Sequence, residues 1–324
     1  MLNKIGKRNF IFLVSLFMSF TAFAGENVRY ANVYGRNYVY LRDVAGYYGM
    51  KYFYQGDQTV LFSNYSRLVF TIDKKHCYIN NIKVALLYPS IKYKSYRCIS
   101  STDFLKTIDP IMRHWALNKH KLKTIMIDPG HGGKDTGALG AKSREKDFTL
   151  ELSGKLSSLL MRAGYKVYVT RNSDRFIELK DRPALARRAG ADIFISLHAN
   201  KAGAKTVSGI ECFCMTPVGA ASTHSRRAGS KTYSGNSNCA NNVALAYWMQ
   251  RSLIGRTKAV DRGLKHARFM VLKEASCPAV LIETGFLSNP AEEKRLGTEW
   301  YQWQLAKGIL EGVQRYHYQL KRRK

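Results

Sequence analysis

The chain has 324 residues, of which 45% are hydrophobic, and its formal net charge at pH 7 is +29. This length is more than one small core requires and suits two domains, and the excess of positive charge favours acidic polymers as partners. None of the six cysteines forms a Cys-x-x-Cys pair, which excludes a zinc site or a redox site built on that motif.

Residues 1–24 have the pattern of a signal peptide. Three basic residues precede the short apolar stretch 10–20, and Ala22-Phe23-Ala24 matches a small-x-small cleavage site, which predicts a mature chain beginning at Gly25. A retained N-terminal anchor is the alternative. No later segment is long and apolar enough to span a membrane. We therefore expect an exported protein, located in the periplasm or in the external cell wall, without a transmembrane segment in the mature chain.

Residues 25–118 are predicted to form a small α+β domain. The predicted elements, in chain order, are a helix over 41–48, strands over 59–63, 68–72, 77–79 and 82–87, and a second helix over 102–108. Two segments echo each other, Tyr40-Leu41-Arg42-Asp43-Val44-Ala45 and Ser100-Ser101-Thr102-Asp103-Phe104-Leu105, each a strand that runs into an Asp followed by apolar residues. This pattern resembles the N-terminal domain of copper amine oxidases, a module that is also attached to wall enzymes. Most of the 20 tyrosines lie in this part. They could stack on sugar rings and target the wall, or simply favour sheet faces.

Residues 122–318 are predicted to form an α/β domain. Strands are expected over 124–127, 165–170, 192–197, 209–215 and 279–283, helices over 148–163, 179–189 and 300–317, and a long surface loop over 217–242. Alternation of this kind predicts a mostly parallel sheet with helices on both faces. The basic segment 319–324 is expected to be a solvated tail.

Three polar side chains follow predicted strands of this sheet. His131 comes after the first strand, His198 after the third and Glu283 after the last. Ligands bind at the carboxyl ends of parallel strands, and a catalytic zinc takes imidazole and carboxylate ligands while keeping one position open. Glu145, just before a predicted helix, could complete such a set, or could instead favour the helix dipole.

Several motifs resemble the zinc-dependent amidase-3 family of N-acetylmuramoyl-L-alanine amidases, in family order over about residues 122–318. They are Asp128-Pro129-Gly130-His131-Gly132-Gly133, Asp135-Thr136-Gly137-Ala138, Glu145-Lys146, Ser196-Leu197-His198-Ala199-Asn200, Asp261-Arg262-Gly263-Leu264-Lys265 and Pro278 through Asn289. Dispersed motifs in one order are more specific than any single motif. Thr284 departs from the pattern, because the family often has a small apolar residue there.

The resemblance implies a hydrolase that cuts the amide bond between N-acetylmuramic acid and L-alanine in peptidoglycan. It implies one zinc ion per chain, held by His131, Glu145 and His198, and it makes Glu283 the catalytic general base of a zinc-activated water. The alternatives are another zinc-dependent wall peptidase or deacetylase, and a non-catalytic wall-binding protein. Peptidoglycan is then the partner, with anionic wall polymers or the envelope surface beside it; no nucleic-acid motif is present, and no activator protein is indicated.

Other polar residues have two interpretations each. Arg171 and Arg182 could hold substrate carboxylates or form structural salt bridges. Asp128 could orient His131 or shape the turn. His266 is expected to be packed or solvated. Among the cysteines, Cys77 and Cys98 could pair.

Overall fold

The computed structural model describes residues 28–322 of the chain. The predicted signal peptide and the last two residues of the predicted basic tail lie outside the described residues. Within residues 28–322, every helix is either too short or too polar to cross a lipid bilayer.

The described part of the chain contains two β-sheets. The strands are β1 Tyr30–Val33, β2 Arg36–Tyr40, β3 Lys51–Gln55, β4 Gln58–Phe62, β5 Arg67–Thr71, β6 His76–Ile79, β7 Ile82–Ala85, β8 Ile91–Tyr93, β9 Tyr96–Ser100, β10 Thr124–Pro129, β11 Lys166–Val169, β12 Ile193–Asn200, β13 Ile210–Met215, β14 Asp261–Ala267 and β15 Ala279–Phe286. A small antiparallel sheet has the order β1-β2-β9-β8, and a large sheet has the order β11-β10-β12-β15-β13-β14-β7-β6-β5-β4-β3.

Helices cover the large sheet and end the chain. The α-helices are α1 Leu41–Tyr47, α2 Ser101–Asp103, α3 Asp109–Met112, α4 Glu145–Arg162, α5 Asp181–Arg188, α6 Cys239–Thr257, α7 Met270–Lys273, α8 Pro290–Leu296 and α9 Glu299–Lys321. A π-helical segment, Phe104–Ile108, joins α2 to α3, and 3₁₀ turns lie at His114–Ala116 and Ser234–Asn238.

The predicted α/β architecture is confirmed, with two strands of the second half, β13 and β14, running opposite to the other four. Strands β11, β10, β12 and β15 pair in parallel, β13 runs antiparallel to β15, and β14 is parallel to β13. One hydrophobic cluster packs α4, α6 and α9 on one face of the sheet. A second cluster packs α5 and α7 on the other face. Helices therefore cover both faces, as the alternation of elements predicts.

The predicted loop 217–242 is too long, because α6 begins inside it at Cys239. Two asparagines at its start are buried rather than solvated. Asn241 exchanges hydrogen bonds with the backbone of Asn118, at 3.0 Å each. Asn242 donates to the carbonyl of Gly235 and accepts from the amide of Ala279. In the sequence, buried asparagines that bond backbone groups cannot be told from the asparagines of a surface loop. The loop was therefore predicted to extend into the first turn of α6.

The antiparallel strands β3–β7 continue the large sheet of the second half. The junction is the parallel pairing of Leu264 in β14 with Val84 in β7. One hydrophobic cluster also contains residues from both halves of the chain. The division into domains 25–118 and 122–318 stays a prediction. All six cysteines lie in the described part and are free, so Cys77 and Cys98 are not paired in this structure.

Candidate metal centre and active site

The strand order brings three of the predicted site residues to one edge of the sheet. Strand β12 lies between β10 and β15, and His198 in β12 is directly opposite Glu283 in β15. His131 follows the end of β10 and has a left-handed backbone, with φ of 63°. A non-glycine residue in that region carries some strain, which is often found at functional positions. The turn directs the His131 ring back toward β12, where the two imidazole rings are 5.1 Å apart.

Glu145 completes a cluster of three potential metal ligands. It is the first residue of α4, and its Oε1 atom lies 2.8 Å from Nδ1 of His198 and 3.1 Å from Nε2 of His131. One ligand atom from each of the three residues lies within 4.8 Å of the others. The carboxylate thus faces the histidines, so its position is not explained by the helix dipole alone. Two imidazoles and one carboxylate are a donor set that suits zinc.

The electrostatics of Glu145 favour the charged form that a metal needs. Burial by itself would raise the pKa of this carboxyl, but hydrogen bonds and positive charge from His131 and His198 hold its pKa well below the ordinary value. The backbone amides of Ala138 and Ala199 also donate to the carboxylate, at 2.7 and 3.0 Å. Hydrogen bonds to the charged form stabilise it. The carboxylate is therefore fixed in place as an anion.

Glycines make room for the ligand side chains. A Cβ atom on Gly130 would lie 2.4 Å from the His198 ring. One on Gly137 would lie 2.6 Å from both the His131 ring and the Glu145 carboxylate, and Gly137 also has a φ of 66°. Contacts this short cannot be accommodated without moving the ligands. The cluster therefore depends on glycine at these two positions.

The residue that orients His131 is Asp135. Its Oδ2 atom lies 2.8 Å from Nδ1 of His131, which leaves Nε2 facing the cluster. Asp128, the partner suggested by the sequence, accepts hydrogen bonds from Thr170, Ser196 and Arg182 instead. Asp135 lies four residues beyond His131, and the turn between them folds its side chain back. That spacing is the signal that could have identified it.

The two buried arginines are structural. Arg182 donates to Asp128 and to the carbonyls of Pro129 and His131, and Arg171 donates to the carbonyls of Pro129 and Gly130. Both side chains are essentially inaccessible to solvent. They hold the loop that carries His131, and they do not contact the cavity where a substrate would bind. Of the two interpretations from the sequence, the structural one is therefore supported.

Glu283 is set beside this cluster and is not bound to it. Its Oε2 atom is buried and has no hydrogen-bond partner among residues 28–322. Burial, followed by the charges of Glu145 and Glu211, raises the pKa of Glu283 well above its ordinary value, while Lys265 opposes the shift. Thr284, which departs from the family pattern, donates its hydroxyl to the carbonyl of His198 at 2.8 Å. It thereby ties β15 to β12 at the site.

One cavity, with a volume of about 410 Å³, is lined by His131, Glu145, His198 and Glu283. Asn200 and Lys201 add polar groups, and the remaining wall is apolar, formed by Ala138, Leu179, Phe269, Met270, Val271 and Leu281. A cavity of this size accommodates part of a larger molecule, with polar groups converging at one end.

A charged network that sequence reasoning missed lies behind Glu283. Glu211, its cross-strand neighbour, accepts from Lys265 at 2.5 Å, from Arg262 at 2.9 Å and from Asn200 at 3.1 Å. The buried carboxylate is therefore fully paired. His266 is packed, as expected, and burial lowers the pKa of this imidazole to about 4.

Comparison with known proteins identifies the family of this chain. The family model described as N-acetylmuramoyl-L-alanine amidase matches residues 125–315. The amidase AmiC of Escherichia coli O6:H1 is 36% identical over 217 residues, which cover 59% of this chain and 52% of AmiC. AmiA of Escherichia coli K12 is 31% identical over 242 residues, covering 67% of this chain and 84% of AmiA.

The structural comparison agrees. The crystal structure of an N-acetylmuramoyl-L-alanine amidase from Clostridium difficile 630 is similar, with a TM-score of 0.51 and 35% sequence identity. The match covers 61% of this chain and 97% of that one. This chain spans about half the length of AmiC and most of the length of AmiA.

Proposed function

Because the chain belongs to the N-acetylmuramoyl-L-alanine amidase family over residues 125–315, we propose that it hydrolyses the amide bond between N-acetylmuramic acid and L-alanine in bacterial peptidoglycan. The observation that carries this proposal is the convergence of His131, Glu145, His198 and Glu283 on one cavity. Family membership favours the amidase over another zinc-dependent wall hydrolase. A non-catalytic wall-binding protein needs none of these four residues, yet all four are present.

One zinc ion per chain is assigned to His131, Glu145 and His198. The ligand atoms lie close enough together to share one ion, and Glu145 is already an anion. Hydrogen bonding of His131 Nδ1 to Asp135 fixes the tautomer that presents Nε2. When bound, zinc polarises an amide carbonyl and lowers the pKa of water.

Glu283 is assigned the proton transfers. Its Oε2 atom faces no competing hydrogen-bond donor among the described residues, so it is free to accept a proton from the attacking water. The same carboxyl then returns that proton to the departing amine of L-alanine. Burial and the neighbouring carboxylates raise its pKa, which favours uptake of the proton by this carboxylate.

The apolar wall of the cavity positions the substrate and limits water. Leu179, Phe269 and Met270 are large side chains that remain partly exposed at this site. Packing of a peptide or glycan against them would hold the scissile amide next to Glu283. Exclusion of bulk water strengthens the electrostatic interactions inside the site.

Export completes the proposal, since peptidoglycan lies outside the cytoplasm. The predicted signal peptide 1–24 and the net charge of +29 support an envelope protein that associates with anionic wall polymers. The catalytic unit is assigned to residues 122–318, and residues 25–118 to a small accessory domain.

A digestion experiment tests the function. The full chain would be expressed in a bacterial host and purified from the exported fraction, where its intact mass also tests cleavage before Gly25. Zinc-loaded protein would be incubated with peptidoglycan and the soluble products analysed by mass spectrometry. We expect free stem peptides that begin with L-alanine, and none after chelation or in Glu283→Ala.

Glu299→Ala is the matched control, because Glu299 is an exposed glutamate at the start of α9, away from the cavity. It should release stem peptides at the wild-type rate. Intact stems on the glycan, from protein with zinc demonstrably bound, would contradict the assigned bond. A Glu283→Ala variant as active as the control would contradict the assigned base.

A further inference from the structure

A second and larger cavity lies away from the metal centre. Its volume is about 870 Å³, and it is formed where the β6–β7 turn meets the end of α6 and the second half of α9. None of its lining residues belongs to the catalytic cavity. Nothing in the proposed amidase reaction therefore accounts for it.

The charge of this second cavity is strongly positive. Arg251, Arg256, Lys258 and Arg315 line it, against the single carboxylate of Glu311. Arg256 pairs with Glu311 through its Nε atom, 3.0 Å from Oε1, so this carboxylate neutralises one cation. Within residues 28–322, the other three cations form no ion pair with a carboxylate. Three uncompensated cations around one concave space attract an anion.

The cations are held in position and other donors lie among them. The Arg251 guanidinium is 5.2 Å from the Trp248 ring centre, which is a cation–π contact. Ser252 lines the cavity as well, and its hydroxyl is buried without a hydrogen-bond partner in the described part of the chain. Asn80 and Asn81 form the opposite wall. Guanidinium, hydroxyl and amide groups together offer directed hydrogen bonds as well as charge.

The C-terminus of a helix disfavours a bound anion, but at the C-terminus of α6 this unfavourable effect is reduced. The carbonyl groups at the C-terminus of α6 carry partial negative charge. Two of these carbonyl groups already accept hydrogen bonds. The Leu253 carbonyl accepts from the Thr257 hydroxyl at 2.7 Å, and the Ile254 carbonyl accepts from the Lys258 amide at 3.0 Å. The side chain of Lys258 also lies at this end. The potential of the cavity is thus set by its side-chain cations.

We propose that this cavity binds a phosphate group, either free or within a phosphodiester chain. Arginine binds phosphate oxygens in pairs, and several cations around one space match an ion that carries more than one negative charge. A ligand that carried only one carboxylate would leave most of these cationic side chains without a partner. The site would therefore tether the enzyme to a phosphate-bearing molecule while the metal centre remains open.

Calorimetric titration of the full mature chain tests the proposal. The probes are inorganic phosphate and a linear oligo(glycerol phosphate), which distinguish a small ligand from a chain. We expect one saturable site per chain for at least one probe. Lys258→Glu combined with Arg315→Glu should weaken that binding at least tenfold. Both side chains are exposed and form no ion pair within residues 28–322, so the fold should tolerate the changes.

Lys92→Glu combined with Arg188→Glu is the charge-matched control. These exposed cations lie in β8 and α5, outside the cavity, and their reversal changes the net charge equally. The control should keep the wild-type affinity. Arg251→Gln, which removes charge without reversing it, should weaken binding several-fold.

Equal loss in both double variants would show only general charge attraction. Equal retention in both would place the phosphate elsewhere, for example at the metal centre, and either result would overturn the proposal. Release of stem peptides from phosphate-free peptidoglycan should be unchanged in Lys258→Glu/Arg315→Glu, which separates this proposal from the amidase assignment.

Discussion

His131 depends on a partner that is itself held by the turn. Asp135 bonds the ring at Nδ1 through Oδ2 and accepts from the amide of Gly137 through Oδ1, at 3.1 Å. The turn that joins His131 to Asp135 is also closed by two backbone hydrogen bonds between Gly132 and Asp135. The ring therefore has one defined orientation, which lowers the entropy lost when a metal binds.

Replacing Asp135 by alanine should weaken zinc binding by about 10- to 100-fold, as is typical for the partner of a ligating histidine. The ring would lose the bond that fixes its tautomer and direction. Competition with a chromophoric chelator measures the affinity. Asp135→Asn keeps a hydrogen-bond acceptor and should recover part of the zinc affinity. Wild-type zinc affinity in Asp135→Ala would contradict the role of Asp135 in orienting His131.

The residues of the proposed site were more predictable from the sequence than the residues that support them. His131, His198 and Glu283 follow strands in the chain, and the sheet brings strand ends together. Glu145 required the family resemblance, because a carboxylate at the start of a helix has an ordinary structural explanation. Asp128 and Asp135 flank the same histidine, and only the path of the turn decides which side chain reaches it.

At the scale of elements, α6 and α9 pack closely through glycines. A Cβ atom on Gly312 would lie 2.6 Å from the Met249 sulfur and 3.0 Å from its Cα atom, and one on Gly308 would lie 3.1 Å from Leu253. Both glycines are buried inside a long helix. Glycine disfavours helix, so these positions are explained by the close approach of the two axes.

Gly312→Ala should therefore destabilise the protein by about 1–3 kcal/mol, because the added methyl overlaps backbone that cannot rotate away. Urea denaturation measures the change. Gly154→Ala in α4 is the matched control: its Cβ meets nothing within 4 Å, and the helix should gain about 0.5–1 kcal/mol. Equal stability of the two variants would contradict the packing explanation.

Helix α6 shows why some elements escaped prediction. Its first turn reads as Cys239-Ala240-Asn241-Asn242, a composition that favours loops. The helix forms there because both asparagines bond partners from distant parts of the chain. Such bonds exist only once the chain has folded. By contrast, the predicted helix over 300–317 is confirmed within α9.

At the scale of the whole molecule, the two halves of the large sheet meet at Asp261. Its Oδ2 atom accepts from the amide of Lys83 in β7 at 2.7 Å. Its Oδ1 atom accepts from Gln250 and from the amide of Gly263, at 2.7 and 2.9 Å. One carboxylate thus links β7, β14 and α6, beside the single pairing of Val84 with Leu264.

Asp261→Ala should cost about 1–3 kcal/mol, because it leaves partly buried donors without an acceptor. Hydrogen exchange at the Lys83 amide should accelerate more than exchange within β10 and β12. Asp57→Ala, at an exposed turn between β3 and β4, serves as the control and should change neither measurement. Unchanged exchange at Lys83 would contradict the linking role.

Strand β15 has one further consequence, which concerns the order of folding. It is the last strand within residues 28–322, yet it lies inside the sheet, between β12 and β13. The proposed ligands His131, Glu145 and His198 all precede it in the chain, whereas Glu283 belongs to β15 itself. A chain that has not yet inserted this strand therefore lacks the proposed proton acceptor. Assembly of the sheet and completion of the proposed site are therefore coupled, because the four residues come together only when β15 lies between its neighbours.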